Sequence, residues 1–556
     1  SRMLFVVCLI VPSILAFPPV SIHTPRGQIN GFQASYSPTE YTSHSSNGFV
    51  FLGIPYVVPP IGKRRFTRPL PLHSYGTEAL NATKYRPACP QPVYGELDRS
   101  EDCLHVNVMT PSITPFRLFP VMVFIHGGSL SSGSARNLSY EGAIRNFVRH
   151  GVVVVTIQYR IGLLGFFNTG TDDFPGNLGM LDQVEALRWA QSEIVHFGGD
   201  PNRVTLFGYS AGAASISAHT YSSMSRGLFH SVILQSGSVL TCFDGALGST
   251  DLSPIYAQKL CNFTSVDWKA GNFSRLHTCL DTIDLSIVNQ MEKPNFLGWK
   301  IIQDPFFFPS TPQKLAPFRS NIPVLIGSMQ DEFAYFLFSL KQLYGSQFPS
   351  SNRLLPFLAP LLFQNATQVD TLLPLITSKY APTAISENAD TAWLKANSDA
   401  ITGGAFVAPM QKDIREWMQN GNFHIFIYEM TVSSHLQGFH SLGIWNPAVH
   451  TGEMPYVTGD SRVWEESIRD NRSTPFDFAL MEWMGQAWTN FAISGIPDAA
   501  WSPVSPLSAY LPYLEISSTG LRMRPDYRSD DDWFWNVQIP KVVGDLPAEK
   551  MFIFHR

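Results

Sequence analysis

The feature that most narrows what this chain can fold into is the pentapeptide Gly208-Tyr209-Ser210-Ala211-Gly212, read together with its flanks. It follows the aliphatic run Arg203-Val204-Thr205-Leu206-Phe207 and leads into the small residues Ala211-Gly212-Ala213-Ala214-Ser215. The first flank reads as a strand and the second as the start of a helix. At such a turn the glycines permit a tight bend and close backbone approach, and the serine is left exposed above a sheet. A neutral hydroxyl is a poor nucleophile, so it needs a base for its proton and donors for a developing oxyanion. A bare G-x-S-x-G occurs often by chance; the strand before it and the helix after it make Ser210 a candidate nucleophile.

A sheet to carry that turn can be read from the rest of the chain. Six apolar runs end in glycine or polar turns: Pro120–Ile125, Val152–Ile157, Arg203–Phe207, Ser231–Leu234, Ile322–Ile326 and Phe423–Tyr428. Continuous runs of this length suit strands buried on both faces, as in a mostly parallel sheet. Asn177 to Phe197 reads as a helix with Leu181, Val184, Leu187 and Ile194 on one face. Phe478 to Ile493 reads as another, stopped by Gly495 and Pro497. Strands alternating with helices predict an α/β fold with a large, mostly parallel central sheet flanked by helices. No repeat, linker or composition shift divides the chain, so residues 18–556 are expected to form one catalytic domain. Residues 245–320 and 340–400 are expected to wall and cover a pocket. Hydrophobic residues make up 44% of the chain and charged ones 15%, enough for a large core. The net charge is −5, without a Lys/Arg-rich run, which excludes the basic footprint of a nucleic-acid binder.

The remaining parts of a nucleophilic site lie after other strands. His126-Gly127-Gly128-Ser129 follows Val121–Ile125, where its backbone N–H groups, with that of Ala211, can face an oxyanion. In this chemistry the chain order is nucleophile, acid, histidine. Gly327-Ser328-Met329-Gln330-Asp331-Glu332 offers two carboxylates past a strand end, where groups collect in open α/β sheets. Pattern alone does not choose between Asp331 and Glu332, nor among His435, His440 and His450 as the base. The expected partner is a small-molecule ester, with no cofactor or metal.

Residues 1–17 place Arg2 ahead of an apolar stretch too short to span a membrane and read as a signal peptide, with cleavage plausible after Ala16. No apolar C-terminal tail suggests an anchor. Five cysteines remain. Cys89 with Cys103 and Cys261 with Cys279 are suggested as local pairs, Cys242 is left single, and spacing leaves the connectivity open. Six sequons, at Asn81, Asn137, Asn262, Asn272, Asn365 and Asn471, fit a secreted glycoprotein.

Phe51-Leu52-Gly53-Ile54-Pro55-Tyr56, Glu101-Asp102-Cys103-Leu104, Gly176–Gln183 and Phe197-Gly198-Gly199-Asp200-Pro201 through Gly212 carry a resemblance over nearly the whole length. The chain resembles the type-B carboxylesterase/cholinesterase family of the α/β-hydrolase fold. That resemblance implies Glu332 as the acid, His450 as the base and Gly127 and Gly128 as the start of the oxyanion loop. The implied donors are the N–H groups of Gly128, Ser129 and Ala211. It supports both cysteine pairs, and implies scaffold ion pairs Arg65–Glu101 and Arg160–Asp182. Three departures matter. Tyr209 stands where the family usually has Glu, and Ser129 where many relatives have a third Gly. The Cys89–Cys103 loop is short and lacks the Trp with which cholinesterases hold a quaternary ammonium. The missing Trp and Tyr209 favour neutral esters over choline esters, while Ser129 keeps its backbone N–H but narrows the oxyanion hole unless its side chain turns away. Some relatives of this fold have lost the serine and act in adhesion, but here every triad position is filled.

Overall fold

The computed structural model describes residues 18–92, 98–242, 252–291, 298–362, 366–382, 389–436 and 445–543. Among the described residues, all six apolar runs contribute to strands of one 13-stranded sheet. Seven strands run parallel at its centre. In spatial order they are Val153–Ile157, Phe119–Ile125, Gly199–Tyr209, Ser231–Gln235, Val324–Met329, Ile425–Met430 and Tyr513–Ser517. Antiparallel strands extend both edges, with His105–Thr110, Ser46–Pro55, Gly27–Tyr36 and Pro19–Thr24 on one side and Gly520–Arg524 on the other.

The continuous apolar runs are explained by burial on both faces. Val121, Val123, Ile125, Val204, Leu206, Val232, Leu234, Val324 and Ile326 join one core. Their alternates Met122, Phe124, Phe207, Ile233 and Leu325 join the core on the opposite face. Side chains of a strand alternate with period two, so each strand feeds both layers. The first face is covered by the helices Leu178–Glu193 and Ala211–Tyr221, which bring Leu187, Trp189 and Ile216. The second is covered by Pro475–Ser494, through Met484, Trp488 and Phe491.

Two helix boundaries differ from the sequence reading for local reasons. The helix expected to begin at Phe478 starts at Pro475, because Thr474 and Asp477 form a reciprocal capping box and proline suits the first helical position. The helix from Leu178 becomes a 3₁₀ turn at Ile194–Phe197. Asn177 precedes it at φ 48° and does not cap it; its amide reaches across to Ile302 O at 2.7 Å and to Asp304.

The chain passes from Phe119–Ile125 to a neighbour on one side, Val153–Ile157, and then returns to the other side at Gly199–Tyr209. This reversal opens a crevice at the carboxyl ends of Phe119–Ile125 and Gly199–Tyr209, the usual place for a site in an open α/β sheet. His126-Gly127-Gly128 leaves one strand there, and Ser210 leaves the other. Both disulfides, Cys89–Cys103 and Cys261–Cys279, are closed. Arg65–Glu101 and Arg160–Asp182 are each two-pronged, with shortest contacts of 2.5 and 2.7 Å. Among the described residues, no helix is long and apolar enough to cross a membrane.

Candidate active site

Ser210 sits at φ 55°, ψ −128°, a backbone state that residues other than glycine rarely adopt. The turn is forced by close packing. A Cβ on Gly208 or Gly212 would lie 2.2 or 2.1 Å from the carbonyl oxygen of Ile125, so only glycine fits on either side of the serine. The Ser210 N–H donates to Gln235 O at 2.8 Å, which ties the bend to the next strand. The helix Ala211–Tyr221 begins immediately after it, with the unpaired N–H groups of its first turn at that end.

Glu332 and His450 are both almost wholly buried. Glu332 Oε2 lies 2.5 Å from His450 Nδ1, while Oε1 accepts the Met329 N–H at 2.8 Å. His450 Nε2 is buried and has no hydrogen-bond partner among the described residues. The ring is held by Phe406, Phe336 and Tyr335, at centroid distances of 5.2, 5.4 and 6.1 Å. Phe336 and Phe406 also line the cleft that contains Ser210, so the imidazole and the serine share one wall.

Of the residues left open by pattern alone, Asp331 makes different contacts. Its Oδ2 accepts the Ala448 N–H at 3.0 Å, its own N–H donates to Ala448 O, and Lys395 Nζ lies 3.4 Å from Oδ1. It therefore fixes the loop two residues before His450. His435 is exposed, offers its carbonyl to Arg472, and is not in this cluster. His440 lies outside the described residues.

The cleft measures about 550 Å³ out to its open mouth. Its walls include Ser129, Ser210, Ala211, Trp299, Phe336 and Phe406. The expected division into two wall segments is only half right. Gly298, Trp299 and Lys300 come from the first segment, but among the described residues no lining residue comes from 340–400; the flanking Phe336, Ala405 and Phe406 serve instead. Ala405 and Phe406 sit in a π-helical stretch, Thr402–Val407, a local widening often found at functional sites.

The glycine loop turns at Gly128, φ 112°, and Ser129 and Leu130 follow at φ 54° and 57°. Ser129 fits because Gly298 faces it; a Cβ on Gly298 would lie 2.2 Å from Ser129 O and 3.1 Å from its Cβ. Tyr209 turns from the cleft into the second core, stacked on Phe124 at 6.2 Å, and its hydroxyl accepts from Asn137 Nδ2 at 3.2 Å. The site therefore carries no carboxylate at the position before the serine.

Sequence reasoning passed over Glu453, Gln235 and the aromatic shelf. Glu453 is fully buried, and burial, with the neighbouring Glu332 charge, pushes its carboxyl up to about 7. A glutamate three residues past His450 inside an apolar stretch was the available signal. Cys242 lies half-buried on the cleft wall and forms no disulfide among the described residues.

A doubly wound sheet, a serine on a strained strand-to-helix turn and a buried carboxylate–imidazole pair together define a serine hydrolase of the α/β-hydrolase fold. The carboxylesterase family model matches residues 18–535, and this chain belongs to that family. Carboxylesterase 3 of Homo sapiens is 30% identical over 97% of this chain and 95% of its own length. Pyrethroid hydrolase Ces2e of Rattus norvegicus is 32% identical, covering 99% and 94%. Acetylcholinesterase of Bungarus fasciatus is 29% identical, covering 96% and 90%. The protein is thus an enzyme that acts on carboxylic ester bonds.

Proposed function

We propose that the protein is a secreted carboxylesterase that cleaves neutral esters through Ser210, His450 and Glu332. The observation that carries this reading is the 2.5 Å contact between Glu332 Oε2 and His450 Nδ1, with Nε2 left unpaired beside a wall shared with Ser210. In the proposed cycle His450 takes the Ser210 proton and Glu332 stabilises the imidazolium. Ser210 Oγ attacks the ester carbonyl, and the N–H groups of Gly128, Ser129 and Ala211, in the loop begun by Gly127, hold the oxyanion. The C–O bond to the alcohol breaks as His450 returns the proton. Water, activated the same way, releases the acid.

Tyr209 in place of an acid, and the lack of Trp in the Cys89–Cys103 loop, support neutral over cationic substrates. Turnover of matched butyryl esters with choline and neutral alcohols tests this; a preference for the choline ester would reverse it. Ser210→Ala is expected to abolish both turnover and labelling by a fluorophosphonate, and retained labelling would place the nucleophile elsewhere. Secretion is supported by the two disulfides and by exposed asparagines at 81, 137, 262, 272 and 471; Asn365 lies outside the described residues. Expression in animal cells should deliver endoglycosidase-sensitive enzyme to the medium, and an unglycosylated intracellular product would contradict it.

A further inference from the structure

Gln235 ends the strand beside the nucleophile strand and is completely buried. Its main chain and its side chain reach different parts of the site. The carbonyl accepts the Ser210 N–H at 2.8 Å and holds the strained turn. The side-chain oxygen accepts Trp488 Nε1 at 3.2 Å, which fixes which end of the amide faces the helix Pro475–Ser494. That leaves Nε2 to donate to Glu453 Oε1, also at 3.2 Å.

Glu453 belongs to the segment that carries the histidine. Gly452 N–H bonds to Val449 O at 2.9 Å and Met454 N–H to Thr451 O at 3.0 Å, so residues 449–454 form one compact turn around His450. The other Glu453 oxygen, Oε2, is buried without a hydrogen-bond partner among the described residues, so the carboxylate is tied through Oε1 to Gln235. Besides the Glu332–His450 contact itself, the loop is held on either side of the imidazole, by Asp331 at Ala448 and by Gln235 at Glu453.

We infer that Gln235 is a positioning residue that sets the spacing between Ser210 and His450, holding the serine turn by its carbonyl and the histidine loop by its amide. The inference rests on Ser210 and His450 acting together as proposed above. Proton transfer between them depends steeply on geometry, and a shift of about 1 Å in such a pair can cost about a hundredfold in rate.

Gln235→Leu keeps the carbonyl and most of the bulk but removes the amide. With a short soluble ester, kcat per phosphonate-titrated site should fall about tenfold to a hundredfold while KM stays within about threefold. Glu453→Leu should show a loss of similar size or somewhat smaller, since Gln235→Leu also unpairs Trp488 Nε1, and the double variant should lose no more than Gln235→Leu alone, because both cut the Gln235–Glu453 link. Glu453→Gln keeps the accepting oxygen and should lose far less than Glu453→Leu. That last contrast decides the matter even if Gln235→Leu fails to fold. Additive losses in the double variant, a loss confined to KM or to the number of titratable sites, or equal losses for the two Glu453 variants would each overturn the inference. Persistent labelling of Ser210→Ala would instead remove the nucleophile assignment on which it stands.

Discussion

Two adjacent carboxylates at the end of one strand serve the same loop in different ways. Glu332 meets the imidazole, whereas Asp331 holds the backbone at Ala448. Glu332→Gln replaces a charged acceptor and disturbs the tautomer, and kcat should fall by about a thousandfold or more. Asp331→Asn keeps an oxygen for Ala448 and should cost under about tenfold, since only one acceptor and a partly exposed lysine contact are altered. Steady-state rates of the two purified variants decide this, and a reversed order would reassign the acid. Ser129 occupies a left-handed conformation that costs a non-glycine residue about 1 kcal/mol. Ser129→Gly should relieve it and preserve the backbone donor, so melting temperature should hold or rise with kcat/KM maintained. A large loss of activity would mean that the hydroxyl itself contributes.

At the scale of elements, period-two burial made the parallel strands readable, because each run is apolar throughout and bounded by turn residues. The glycine-framed turn was readable because both glycines and the serine stand together in the sequence, whereas the Ile125 carbonyl on which they pack does not. Contacts made at long range were not readable. Nothing near Gln235 in sequence indicates Trp488 or Glu453, and the π-helical stretch that presents Phe406 has no periodic signature. The choice between Asp331 and Glu332 came only from resemblance, because both follow the same strand. The Thr474–Asp477 capping box stands in the sequence ahead of the apolar face that begins at Phe478, outside the periodic signal that marks the helix. Thr474→Ala should cost about 1 kcal/mol. A lowered melting temperature with unchanged kcat is expected, and no change at all would deny the cap its role.

For the whole molecule, pH enters through Glu453. Its carboxyl titrates near 4.5 in the open chain and about 7 when folded, so the folded state binds the proton more tightly. Stability from this group is therefore full below about pH 4.5 and is lost as pH rises through 7, by about 3 kcal/mol. The melting temperature of the wild type should fall relative to Glu453→Gln between pH 5 and 8; a constant difference would show that the group is ionised throughout.

The layout of the sheet also sets when the site comes into being. Glu332 and His450 are 118 residues apart in sequence, and the strands bearing Ser210 and Glu332 are joined only through Ser231–Gln235 and the long excursion before Val324. Closing such large loops is entropically expensive and slow, so parallel pairings between remote segments are late events in folding. The strand exits that bear Ser210 and Glu332, and the loop that bears His450, gain their mutual geometry only when those pairings are complete. During refolding, the recovery of phosphonate-reactive serine should therefore lag behind the recovery of helical signal, which makes the reactive serine a stopwatch for the last step of assembly.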